Sequence, residues 1–241
     1  METESLPVPP TLAGASRSRR ARRPGRRLWA HDRLLAREFP VLCGVDEVGR
    51  GPLAGNVVAA CVILDLGRPP IQALNDSKQV PEEKREALYE VIRERAVAYG
   101  IGECTPEEID RFNILRASLL AMRRALEAMA LKPSLVLVDG NQYIPEIDWP
   151  QRTLVKGDGL SAGIAAASIL AKVTRDRQMR ELHRLHPQYG FDGHKGYATR
   201  LHLAAIKAHG LTPLHRVSFC RDPGSFCPDP GLQIDLFEPG P

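Results

Sequence analysis

The stretch "GVDEVGRGPLAG", residues 44–55, ends an apolar run in Asp46-Glu47 and moves at once into a tight turn, Gly49-Arg50-Gly51. Two adjacent carboxylates suit a metal ion or a proton. Bare glycine backbone beside a guanidinium suits a phosphate or a sugar, because glycine lets a chain approach its ligand and arginine donates in a planar fork. Together they point to chemistry on a nucleic-acid backbone, provided that further acids join them.

On either side of this stretch, strand-like and helix-like segments alternate. "VLCGVDE" (41–47) and "LAGNVVAACVIL" (53–64) read as strands joined by the glycine turn. "PEEKREALYEVIRERA" (81–96) reads as a helix, with Pro in its first turn and helical spacing of Leu88, Val91 and Ile92. "VAYGIGEC" (97–104) is a third strand and "RFNILRASLLAMRRALEAMA" (111–130) one long helix. "SLVLVDG" (134–140) and "RTLVKGD" (152–158) are short apolar strands, each ending at an acid followed by glycine. "SAGIAAASILAKVTRDRQMRELHRL" (161–185) is a helix whose small residues let it lie close to a sheet. "YATRLHLAAIKAHG" (197–210) is an amphipathic helix with a glycine stop. The pattern is α/β, an early hairpin followed by strand–helix alternation.

The 241 residues, 43% hydrophobic and 26% charged, suit one folded domain with tails. Nothing approaches the roughly 20 apolar residues that cross a bilayer, and no apolar segment follows the N-terminal charges as in a secretory signal. Cys43, Cys61, Cys104, Cys220 and Cys227 are odd in number and lack C-x-x-C spacing, which favours reduced thiols in a cytosol over a disulfide frame or a zinc site. The net charge of +4 is uneven: residues 1–37 hold nine Arg against Glu2, Glu4 and Asp32, which leaves the rest of the chain at −2. That first stretch, with "SRSRRARRPGRR", reads as a disordered basic arm, either a phosphate-binding arm or a solvated leader. The folded domain is expected over residues 38–220 and a flexible Pro/Gly-rich tail over 221–241.

Three expected strands end in acids: Asp46-Glu47, Asp139 and Asp158. Strand-end acids also serve as solvated loop residues or helix caps, and Asp158 before "GLSAG" suits an N-cap. If the strand ends lie side by side, however, four carboxylates converge, and such a group needs protons or cations. Oxygen ligands without a His or Cys cluster favour Mg²⁺ or Mn²⁺. Two such ions activate a water and stabilise the leaving oxygen of a phosphodiester.

"GVDEVGRGPLAG", "LNDSK", "VDGN", "KGD", "AAASILAKVTRD" and "HKGY" occur in this order, and between about Val41 and Phe219 the chain resembles the bacterial type 2 ribonuclease H family. The resemblance implies a ribonuclease H-like fold, a central five-stranded mixed sheet flanked by helices with a small helical C-terminal part. It implies Asp46, Glu47, Asp139 and Asp158 as metal-binding catalytic acids. It implies hydrolysis of the RNA strand of RNA/DNA hybrids and nicking beside single ribonucleotides in DNA, with 3′-hydroxyl and 5′-phosphate products. Gly49 and Gly51 would bring backbone groups to a ribose 2′-hydroxyl, Arg50 would hold the adjacent phosphate, and Tyr197 would stack on the following deoxyribose. The chain departs from the family's usual pattern at Gly159 and Gly163, where polar residues are common.

Supporting residues carry two readings each. Lys78 reaches a phosphate or is merely solvated. Ser168, Lys172 and Arg175 share one helix face, which is a phosphate-facing stripe or the polar edge of a packing helix. His194 and Lys195 neighbour the substrate or belong to an exposed loop. In the tail, "QIDLF" resembles the pentapeptide by which bacterial replication and repair proteins bind the sliding clamp, with Gln233, Leu236 and Phe237 as anchors. A resolvase or 3′-exonuclease shares such an acidic core but has no use for the Gly-Arg-Gly turn. A non-catalytic binding module gains nothing from clustered anions near phosphate. A nucleotide hydrolase would need a G-x-x-x-x-G-K-[ST] stretch, which is absent. Nothing in the sequence demands more than a monomer.

Overall fold

Alternation along the central strands decides the layers. In β1 (Leu42–Val48), Cys43 and Val45 face one side of the sheet while Gly44 and Asp46 face the other. A computed structural model describes residues 24–74, 77 and 80–220. In it β1 is the middle of a five-stranded sheet of order β3-β2-β1-β4-β5, with β2 Val57–Leu64, β3 Ala96–Cys104, β4 Leu135–Asp139 and β5 Gln151–Leu154. The first three strands form an antiparallel meander, whereas β4 and β5 run parallel to β1. This is the mixed five-stranded sheet expected. β2 starts four residues later than read from sequence, and residues 53–56 belong to the loop that the glycine turn opens.

Helices α3 (Pro106–Phe112) and α4 (Ile114–Glu127) cover one face, with Ile109, Ala117, Ala121 and Ala125 packed on Val45, Ala59 and Val138. The expected single helix over 111–130 is broken at Asn113, which sits at φ 68° and accepts a hydrogen bond from the amide of Arg116 at 3.1 Å. An asparagine tolerates that left-handed backbone and caps the new helix. The other face carries α2 (Glu82–Arg95) and the 24-residue α5 (Ala162–Leu185). Beyond α5, the short α6 (Phe191–His194), α7 (Arg200–His209) and α8 (Val217–Cys220) form the small C-terminal part. Among the described residues no helix is long and apolar enough to cross a membrane. Cys43, Cys61, Cys104 and Cys220 are free thiols.

The N-terminal expectation needs correcting. Residues Pro24–Leu35 form a helix, α1, and not the end of a disordered arm. Leu28 and Trp29 bury themselves against Ala165, Ile169 and Leu64, while Arg26, Arg27 and Arg33 stay outside. Arg26 and Arg27 are exposed, and the apolar residues that follow them find a core. Residues 1–23, Lys78 and the "QIDLF" motif lie outside the described residues.

One contact sets the spacing between α5 and the sheet. Gly44 and Gly163 meet backbone to backbone: a Cβ on Gly163 would lie 3.1 Å from the amide nitrogen of Gly44, and one on Gly44 would overlap the carbonyl of Gly163. The departure at Gly163 is therefore a packing requirement. Gly44→Ala is expected to lower the unfolding free energy by about 3 kcal/mol through overpacking, read as a lower urea midpoint; an unchanged midpoint would show that α5 is free to move off the strand.

Candidate active site

The parallel register of β1 and β4 pairs Val45 with Val138, so the next residues, Asp46 and Asp139, fall side by side on the α5 face. Asp46 is 6% exposed. Its carboxyl is pushed well above the ordinary range by burial, then by the charges of Glu47 and Asp139. Hydrogen bonds from the Ser168 hydroxyl and the Glu47 amide (2.8 Å) oppose this. Ser77 stands 2.8 Å behind Ser168, and the two hydroxyls share a hydrogen bond. Burial also raises the Glu47 carboxyl, and Arg50, 3.2 Å away, pulls it back down.

Asp139 accepts a 2.6 Å hydrogen bond from the amide of Gly157. The acid at the end of β5 differs from its sequence reading: β5 stops at Leu154, and Asp158 sits in a single 3-10 turn, Gly157–Gly159. The N-cap of α5 is Ser161, not Asp158. Asp46, Glu47 and Asp139 thus act on one another electrostatically, and Asp158 follows the Gly157 that holds Asp139. Among the described residues, no three His, Cys, Asp or Glu side chains are gathered tightly enough to enclose an ion. Glu47 and Asp139 each have a protein donor, Arg50 and the Gly157 amide.

The Gly-Arg-Gly turn is clamped from behind by two buried arginines. Arg216, 0% exposed, donates to the carbonyls of Gly49 (2.6 Å), Arg50 (2.9 Å) and Gly55 (2.8 and 3.1 Å). Arg175, 1% exposed, donates to Ala54 (3.1 Å), Asn56 (2.9 Å) and Lys195 (3.0 Å). Burial lowers their pKa values to about 10 for Arg175 and about 9 for Arg216, so both remain charged at neutral pH. All peptide bonds described are trans, and a trans peptide points its C=O and N–H in opposite directions. With the carbonyls of Gly49 and Arg50 drawn inward to Arg216, the amides of Arg50 and Gly51 face the exposed side. Gly49, at φ 90°, makes the turn possible.

Tyr197 lies across this turn, its ring edge 3.6 Å from where a Cβ on Gly51 would be. Its carbonyl accepts from Nδ1–H of the buried His202 at 2.9 Å. The Nε2 of His202 then accepts from Nε2–H of His215 at 3.2 Å, and Nδ1 of His215 accepts from the Thr212 amide at 3.1 Å. Leu53 and Gly55 bond to Gly196 and Leu214, each at 2.8 Å, closing the loop onto the C-terminal part.

The expected phosphate-facing stripe on α5 turns inward. Ser168 serves Asp46, Lys172 holds Asp176 at 2.7 Å, and Arg175 is buried among loop carbonyls. His194 is likewise internal: Nε2–H donates to the Tyr189 carbonyl at 2.8 Å and the ring stacks on His202. Lys195 gives its carbonyl to Arg175. Sequence reasoning missed Arg216 and His202, whose only signal is proximity to the last apolar residues of the domain.

The family model for ribonuclease HII matches residues 43–222. The ribonuclease HII of Dechloromonas aromatica is 59% identical over 179 residues, 74% of this chain and 90% of that one. The ribonuclease HII of Marinomonas sp. is 56% identical over 179 residues, with 74% and 89% covered. The chain belongs to the ribonuclease HII family. It is accordingly a nuclease of the ribonuclease H type. Among solved structures, ribonuclease H2 from Pyrococcus horikoshii OT3 superposes with a TM-score of 0.63 at 25% identity, covering 74% of this chain and 93% of that one. The ribonuclease HII of Archaeoglobus fulgidus, in its complex with PCNA, gives 0.56 at 24% identity, with 73% and 93% covered. Bst-RNase HIII in complex with Mn²⁺ gives 0.57 at 19% identity, with 74% and 67% covered. These superpositions share the ribonuclease H-like fold.

The histidine relay makes stability depend on pH. Burial holds the His202 pKa down at about 4 in the folded chain, whereas an unfolded histidine titrates near 6.5. The unfolded state therefore takes up its proton first as the pH falls, and the His202 contribution, complete above about 6.5, is lost toward pH 4. The expected loss is about 3 kcal/mol. His202→Asn keeps a donor for the Tyr197 carbonyl without a titrating ring and should flatten this part of the profile. Urea unfolding of both proteins between pH 7 and 4 measures it, and parallel profiles would refute the assignment.

Proposed function

We propose that the chain hydrolyses the RNA strand of RNA/DNA hybrids and nicks duplex DNA on the 5′ side of a single embedded ribonucleotide, leaving 3′-hydroxyl and 5′-phosphate ends. The observation that carries this reading is the joining of a sugar-reading turn to an acid corner. The outward amides of Arg50 and Gly51 begin three residues beyond Glu47, and Tyr197 closes the far side of the turn.

Each group then has a task. The turn amides hold the ribose 2′-hydroxyl, the one group that distinguishes RNA from DNA at that position. The exposed guanidinium of Arg50 exchanges Glu47 for the neighbouring phosphate, and Tyr197 packs on the deoxyribose that follows. Asp46, Glu47, Asp139 and Asp158 would hold divalent cations, Mg²⁺ or Mn²⁺. The donor set fits: it is all oxygen, and the Asp46 carboxyl, raised by burial and then by its acidic neighbours, is the group whose ionisation a nearby cation favours. When bound, the ions supply an activated water and charge stabilisation at the leaving oxygen. Ser168 keeps Asp46 oriented and favours its charged form. Bst-RNase HIII, a fold relative, has been solved with Mn²⁺. Lys78 is the further cation proposed near the phosphates.

The test is cleavage of a DNA duplex carrying one ribonucleotide, with Mg²⁺ or Mn²⁺, beside the Asp46→Asn protein. A nick on the 5′ side of the ribonucleotide, reduced at least about a thousandfold in the variant, is expected. Cleavage of long hybrids alone would remove the roles given to Gly49–Gly51 and Tyr197, and binding without any cut would leave a non-catalytic module.

We further infer that "QIDLF" tethers the enzyme to a sliding clamp, with Leu236 and Phe237 as apolar anchors and Gln233 as a directional hydrogen bond. A nuclease held on DNA in this way gains effective concentration without new contacts at the site. The Archaeoglobus fulgidus relative was solved with PCNA, a partner of that protein. Deleting residues 233–237 is expected to abolish clamp pull-down and leave oligonucleotide cleavage intact; undiminished pull-down would end the inference.

A further inference from the structure

We propose that α1 belongs to the catalytic unit and that Asp32 is a positioning residue for the acid corner; the functional half of this inference rests on the reading above. α1 lies wholly before the stretch shared with the family model, residues 43–222. Asp32 is nevertheless among the most enclosed acids of the chain, 2% exposed. One carboxylate oxygen accepts from the Ser161 hydroxyl and from the Gly163 amide, both at 3.0 Å. The other stands 2.9 Å from Nδ1 of His31.

These contacts complete the start of α5. The first amides of a helix have no acceptor within it. Ser161 Oγ accepts from the Ile164 amide at 3.3 Å, and because its proton goes to Asp32, its lone pairs are left facing the helix. One carboxylate and one hydroxyl therefore satisfy two successive amides, Gly163 and Ile164. A negative group at this end also complements the helix dipole. A side chain at 163 would crowd Gly44, and the acceptor for the Gly163 amide comes from α1.

The capped turn leads directly to the acids. The amides of Leu160 and Ser161 bond back to the Gly157 carbonyl at 2.9 and 2.8 Å, and the Gly157 amide holds Asp139 at 2.6 Å. The path Asp32–Ser161–Gly157–Asp139 runs through the turn that bears Asp158. Farther along the same helix, Ser168 meets Asp46 and Arg175 meets the loop beyond the Gly-Arg-Gly turn. Freeing the first turn of α5 loosens the corner where carboxylates must sit within fractions of an ångström.

The experiment compares the full chain with its Asp32→Ala and Asp32→Asn variants on the single-ribonucleotide duplex. It follows native-state hydrogen exchange of residues 157–165 in the same proteins, with α4 as the internal control. Asp32→Ala is expected to lower kcat about tenfold, in line with small misplacements of catalytic groups, while KM changes less than about twofold. Amides at 161–165 should exchange at least about tenfold faster with α4 unaffected. Asp32→Asn, which keeps an oxygen for Gly163, should recover most of both losses. Ser161→Ala removes the middle of the same path, should reproduce the alanine pattern, and serves if Asp32→Ala does not fold. Unchanged kcat, or faster exchange spread equally over α4, would overturn the proposal. Failure of the unsubstituted chain to nick this duplex would instead count against the functional reading, with the exchange data still reporting on Asp32.

Discussion

The close approach of β1 and α5 at Gly44 and Gly163 is the constraint on which the site depends. Two backbones meet there without side chains between them, so the helix axis lies nearer the sheet than a helix bearing ordinary side chains could. From that point α5 runs along β1, bringing Ser168 to Asp46 and Arg175 to the loop after the glycine turn. A bulkier residue at either glycine would lift the helix and withdraw both partners together. The alanines along the helix serve the same end, since Ala162, Ala165 and Ala166 are fully buried against the sheet and its neighbours.

Arg175 and Arg216 show how much free energy is committed to the turn. Burying two guanidinium groups is costly, and at Arg216 the charge of Arg175 adds to the effect of burial. The cost is offset by seven hydrogen bonds, all from these two side chains to backbone carbonyls. An apolar pair would pack at less cost but would leave those carbonyls unsatisfied, and the peptide planes free to rotate. What the arginines secure is orientation. With the carbonyls fixed inward, the opposite amides are fixed outward before any ligand arrives, which is the preorganisation a discriminating hydrogen-bond site needs.

The parts of this arrangement that were legible in the sequence are those carried by local pattern. Alternation in β1 and β4, the acid-glycine endings, and the small-residue helix fix the sheet and the neighbourhood of Asp46 and Asp139. Residues whose meaning depends on distant partners were not legible. Arg175 sits at helical spacing from Lys172 and looks like surface; only the loop folded over it makes it internal. Arg216 is one arginine beside a histidine until Gly49 and Gly55 are placed against it. The charge density before residue 37 masked Leu28 and Trp29, because local composition cannot register a core contributed by α5. Asn113 could have been read as a helix break, yet its left-handed backbone competes with an unbroken apolar spacing on both sides.

The electrostatic arrangement follows from the same frame. The chain beyond residue 37 is net negative, and its acid corner opposes its own ionisation, yet the family acts on a polyanion. Several cations near the site are turned inward: Arg175 and Arg216 to carbonyls, Lys172 to Asp176. On the proposed reading, recognition then relies on geometry at one step of the backbone and not on these three cations. That geometry is rigid because α5 reaches both the acid corner, through Ser168, and the glycine turn, through Arg175. The separation between the turn proposed to read a 2′-hydroxyl and the acids proposed to act on a phosphodiester is then a property of one helix lying on one strand. On the proposed reading, the phosphodiester presented to the acids would be fixed by that spacing, so the choice of bond and the choice of sugar would be made by the same element.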